Sequence, residues 1–147
     1  MAWRKITEQD LVSALSRAEV EAFRRSADFD ADPVEAQISD TVAFVRGAIR
    51  TGGKCRLCPD EQTLPASLAR PAMNHLRYEL LTRMNVVPNE ARKSAWKMAQ
   101  ELFEELRDGK YVPESWNADE AEATSGPCAE VVKSCRSRVT PEKLEGL

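Results

Sequence analysis

The chain is poor in the side chains that carry chemistry. Its 147 residues include a single histidine, His75, and four cysteines, Cys55, Cys58, Cys128 and Cys135. With one imidazole, a histidine-based relay has only His75 to use, and no Gly-x-Ser-x-Gly, HExxH or phosphate loop occurs. Gly52-Gly53-Lys54 follows a helical pattern rather than a strand, so it does not suit a phosphate-binding turn. Long apolar runs are also missing. Nothing approaches the ~20 apolar residues of a membrane span. The opening stretch, MAWRKITEQDL, has charges but lacks the apolar core of a secretory signal, so a cytoplasmic or intracellular setting with reduced thiols is expected. There is no internal repeat and no confident β-strand. The expected protein is therefore not an enzyme and not a membrane protein.

What is present is helical periodicity. Apolar residues make up 42% and charged residues 31%, a balance typical of a folded domain rather than a disordered chain. A chain of this length defaults to a single domain, burying roughly 70% of its unfolded surface.

The stretch 64–84 organises the remainder. Leu68, Ala72, Leu76, Leu80 and Met84 recur every four residues, flanked by Met73, Tyr78 and Leu81, which gives one broad apolar face. Pro65 suits a first helical turn. Pro71 lacks an N–H and crowds the carbonyl four residues back. It is therefore expected to begin the long helix, after a short lead-in capped by Ser67. A stripe this wide needs neighbours on both flanks.

Ahead of it, Thr7 with Asp10 and Ser16 with Glu19 have the form of two capping boxes, opening two short helices with a corner at Ser16. Residues 26–32 read as an acidic loop. Asp32-Pro33 is an N-cap followed by a first-turn proline. Val34, Ile38, Val42, Val45 and Ile49 continue at helical spacing to Gly52-Gly53, with Arg46 and Arg50 placed to suit the C-terminal dipole. Residues 52–63 form a long connector, the kind of loop that often meets a partner. Beyond 84, Asn89 caps a last helix whose expected buried face is Ala91, Ala95, Ala99, Leu102, Phe103 and Leu106, bordered by Trp96 and Met98 and closed by Gly109. After Pro113 the helical pattern is lost. The expected fold is all-α: a small helical bundle of four to five helices at residues 1–113, with an extended C-terminal tail at 114–147 that a partner orders.

Cys55-x-x-Cys58 is half of a tetrahedral zinc knuckle by spacing. Cys128 lies about seventy residues further on, and Cys128-x6-Cys135 is not a knuckle spacing. Cys55 and Cys58 are thus weak metal candidates, and neither a metal nor any other cofactor is expected. The net charge of −3 is uneven: −4 over residues 1–45, +4 over 46–110 and −3 over 111–147. Charge-laced helix surfaces account for this, as would an acidic end meeting a basic middle between copies. Arg46, Arg50, Lys54, Arg56, Arg92, Lys93 and Lys97 also leave open a small DNA-binding or zinc-dependent regulator, although glutamates interrupt them.

The order of these parts resembles the Mu-type phage connector family, small helical neck proteins similar to head–tail adaptors of other tailed phages. The opening W-x-x-I-T-x-x-D-L is carried by Trp3, Ile6, Thr7, Asp10 and Leu11. The L-P-x-x-L entry is Leu64, Pro65 and Leu68, and Tyr78, Leu80 and Leu81 follow. Gly109 and Lys110 close the last helix. Arg138, Thr140, Leu144 and Gly146 lie in the final R-x-T-P-E-x-L-E-G-L. The resemblance spans nearly the whole chain; CxxC is not part of the family pattern. It implies a structural subunit at the virion neck, made in the host cytoplasm. Copies would form a homo-oligomeric ring, a dodecamer, beneath the portal protein. The ring would join portal to the tail or tail-terminator protein around a DNA channel that is not read for sequence. In that setting Lys54 and Arg56 of the connector, and Val131, Val132, Arg136, Arg138, Leu144 and Leu147 of the tail, are the expected partner-binding residues.

Overall fold

A computed structural model describes residues 3–26 and 32–117. Among them are five helices and two three-residue strands. The fold is a small, mostly α bundle. β1 (Trp3–Lys5) leads into α1 (Glu8–Ala14) and α2 (Arg17–Ser26). α3 (Pro33–Gly52) follows, then β2 (Thr63–Pro65), α4 (Ala66–Arg83) and α5 (Glu90–Arg107).

The local signals act where the sequence puts them. The Asp10 carboxylate accepts from the Thr7 N–H at 3.0 Å, and the Glu19 carboxylate from the Ser16 N–H at 3.0 Å, with the Glu19 N–H returning to Ser16 Oγ at 3.3 Å. Each bond occupies a donor that a helix start leaves open. Asp32 accepts from the Val34 N–H at 3.0 Å and Asn89 from the Arg92 N–H at 2.9 Å. Asp32 also takes part in a three-helix clamp. Arg24 of α2 grips Glu8 of α1 through two bonds, at 2.9 and 2.7 Å, and reaches Asp32 at 2.8 Å.

Helices α4 and α5 end in the same way. The N–H groups of Asn85 and Val86 return to Thr82 and Leu81, and those of Gly109 and Lys110 to Leu106 and Glu105. Asn85 and Gly109 stand at φ +55° and +68°. Asparagine and glycine tolerate that left-handed position best.

α4 is the centre of the bundle. Leu68, Ala72, Leu76 and Leu80 are all buried, with Met73 and Leu81 beside them. α4 and α5 form an antiparallel pair, with Tyr78 stacked on Trp96 at 4.5 Å. Where three helices meet, the His75 ring of α4 stacks on Phe44 of α3 at 5.0 Å, and Phe103 of α5 packs edge-on to both. The C-termini of α3 and α5 converge. A Cβ built on Gly52 would lie 2.1 Å from the Leu106 carbonyl oxygen. Only a glycine allows so close a backbone approach.

Four expectations need correction. α4 runs unbroken through Pro71, because that residue lies only six positions into the helix. The missing N–H forfeits a single bond, and the buried leucines outweigh it. Ser67 accordingly caps no lead-in. A short antiparallel strand pair exists, Trp3 opposite Pro65 and Lys5 opposite Thr63; three residues are too few to show an alternating pattern. Ala91 is exposed and Met98 is 68% exposed, because α3 covers only the C-terminal half of α5, at Ala99, Phe103 and Leu106. Finally, Arg46 is buried rather than solvated at a helix end.

Candidate functional site

Arg46 lies in the apolar stripe of α3, one turn after Val42 and one before Arg50, and is only 6% exposed. A buried guanidinium needs acceptors in the plane of its fork. The connector supplies them. One terminal nitrogen donates to the carbonyls of Thr63 at 2.9 Å and Asp60 at 3.1 Å, and the other to that of Cys58 at 2.7 Å. The Trp3 ring covers its face at 5.5 Å. Asp60 tightens the same turn. Its carboxylate accepts from the Gln62 N–H at 3.0 Å, and Lys5 stands 3.4 Å away. The Gln62 N–H, then Lys5 and Arg46, hold that carboxyl below the usual carboxylate range. The connector is therefore a shaped loop fastened to α3.

The start of the expected tail is fastened to the other side of this loop. The Trp3 indole N–H donates to the Glu114 carbonyl at 3.0 Å, and Ser67 Oγ to the Glu114 carboxylate at 2.5 Å. The Cys55 thiol donates to the Glu114 carbonyl at 3.4 Å. The Trp116 N–H donates to the Arg56 carbonyl at 2.9 Å, and the Arg56 guanidinium lies over the Trp116 ring at 5.4 Å. Lys54 donates to the Gly109 carbonyl at 2.8 Å, where the negative ends of α3 and α5 meet. Residues 114–117, expected to leave with the tail, thus lie against the bundle beside the connector.

The candidate residues divide accordingly. Lys54 and Arg56 stand together at this junction, each already engaged within the chain. Val131, Val132, Arg136, Arg138, Leu144 and Leu147 lie outside the described residues, as do Cys128 and Cys135. Cys55 and Cys58 are half-buried free thiols. Burial pushes the Cys55 thiol up, and the Glu114 carboxylate adds to that, so the thiol keeps its proton at neutral pH. Among the described residues no three metal-ligating side chains gather. No described helix is long and apolar enough to cross a membrane. Of the basic residues weighed for phosphate contact, Arg46 is buried, Arg92 pairs with Glu19 at 3.1 Å and Lys93 with Glu90 at 2.9 Å.

Sequence reasoning missed Arg46, Trp3, Ser67 and Glu114 as a connected set. One signal was available. Arg46 interrupts an apolar stripe at Val42, Val45 and Ile49, and a cation there has to find acceptors. No family model, no curated protein and no solved structure matches this chain.

Proposed function

We propose that the chain is a structural, non-catalytic subunit of a tailed-phage virion: a head–tail connector that assembles into a ring beneath the portal and links capsid to tail around the DNA channel. The observation that carries this reading is the junction of connector and tail. Two segments far apart in sequence, 53–62 and 114–117, meet at one end of a rigid bundle, where α3 and α5 end and α4 begins. A buried guanidinium and a tryptophan are committed to holding them there. Such an arrangement suits an assembly subunit, a packed body presenting a shaped loop and residues 114–117 at one pole. The order of motifs across the chain supports the choice of connector.

Light-scattering mass tests it. Full-length chain with the portal protein of the same virion should form a large complex. A chain ending at Asn117 keeps every contact described above, so it should remain folded by circular dichroism and fail to dock. Equal docking by the truncated chain would overturn the role given to the tail. A monomer that binds one zinc per chain and duplex DNA would overturn the connector reading itself.

A further inference from the structure

The α4–α5 pair leaves a groove of about 620 Å³ on its outer side. Its floor is Pro71, Ala95 and Leu102, with Met98 standing 68% exposed at its lip. Arg70 lies at one rim and Glu101 and Glu105 at the other. Neither glutamate is in an ion pair among the described residues. Such a groove takes an extended segment with small apolar side chains and positive charge. The sequence has a stretch of that composition outside the described residues. Residues 131–138, VVKSCRSR, carry two valines and three cations with no carboxylate.

We infer that the groove between α4 and α5 is the docking site for residues 131–138 of a neighbouring copy, with Val131 and Val132 on the Ala95–Leu102 floor beside Met98 and Lys133, Arg136 and Arg138 against Glu101 and Glu105. The choice of a neighbour rests on the ring proposed above and on the length of chain between Asn117 and Val131. Glu114 is bonded to Ser67, one helical turn from Arg70, so a subunit's own tail starts beside its own groove. Asn117 is 14 residues before Val131. Fully extended, 14 residues span at most about 50 Å, so a groove on an adjacent copy is within reach.

Full-length chains labelled with light and heavy nitrogen are mixed while dilute, concentrated and treated with a carbodiimide, which joins amines to carboxylates already in contact. Mass spectrometry should find Lys133 joined to Glu101 or Glu105 in mixed-isotope pairs. Glu101→Lys with Glu105→Lys, both surface changes, should weaken self-association at least about tenfold. Adding Lys133→Glu, Arg136→Glu and Arg138→Glu should restore it. Same-isotope pairs alone would place a chain's tail in its own groove and overturn the inference. Undiminished self-association in the charge-reversed groove, with cross-links elsewhere, would overturn it while leaving the ring intact. A chain that stays monomeric both alone and with portal would remove the ring as well.

Discussion

Arg46 and His75 are two polar residues whose surroundings come from chain distant in sequence. Arg46 finds its acceptors 12 to 17 residues away, in a connector with no periodicity of its own. Arg46→Met keeps the stem and removes the fork, leaving the Cys58, Asp60 and Thr63 carbonyls without their shared donor. The expected cost is about 3 kcal/mol, at the upper end for lost bonds to a buried charge, read from urea unfolding. His75 is governed by burial, which holds the imidazole below the 6.5 of the free side chain although Glu79 pulls the other way. The unfolded chain takes up that proton near pH 6.5, so between about pH 7 and 5 it binds more protons than the folded chain and stability falls with pH. The carboxyls of Asp10, Glu19 and Asp32, held below their ordinary values, add their losses only at lower pH. In His75→Gln, the fall in urea midpoint from pH 7 to 5 should largely disappear; an unchanged fall would assign it to another group.

At the scale of elements, what was legible was local. As caps, Asp32, Asn89 and the Ser16–Glu19 box act within three residues of themselves, and the apolar stripes of α3 and α4 are buried as far as Ile49 and Leu81. What was not legible depended on distant chain. Pro71 reads as a helix start until the leucines on either side are seen to pack on one core. β1 has no pattern until Pro65 and Leu64 lie beside it. Trp3 and Glu114, bonded across 111 residues, have no local signature at all. Two glycines of α3 separate packing from propensity. Gly52→Ala would drive a Cβ into the Leu106 carbonyl, backbone against backbone, and should destabilise by about 2–3 kcal/mol. Gly47 has nothing within 4 Å of the same position, so Gly47→Ala should stabilise by about 0.5–1 kcal/mol through helix propensity and a less free unfolded chain. Thermal unfolding of the two variants side by side checks both signs. A harmless Gly52→Ala would mean that α3 and α5 do not converge this closely.

At the scale of the molecule, the bundle has one differentiated pole. α3 and α5 end there, α4 begins there, and the connector and residues 114–117 are tied to each other and to the core. The opposite pole carries the exposed Val86 and Val87 of the α4–α5 turn. Such polarity suits a subunit that contacts different partners at its two ends. The sequence suggested that function lay in the connector and the tail. The structure adds that connector residues and residues 114–117 meet, through Arg56 with Ser115 and Trp116, with Arg46 of α3 fastening the first and Ser67 of α4 the second. The most direct measurement is electron-microscope imaging of the purified full-length chain mixed with the portal protein proposed as its partner. Closed rings seated on portal particles are expected, absent when the chain ends at Asn117. Bare portals with unassembled chain, or rings that form equally well without residues 118–147, would contradict the proposed assembly.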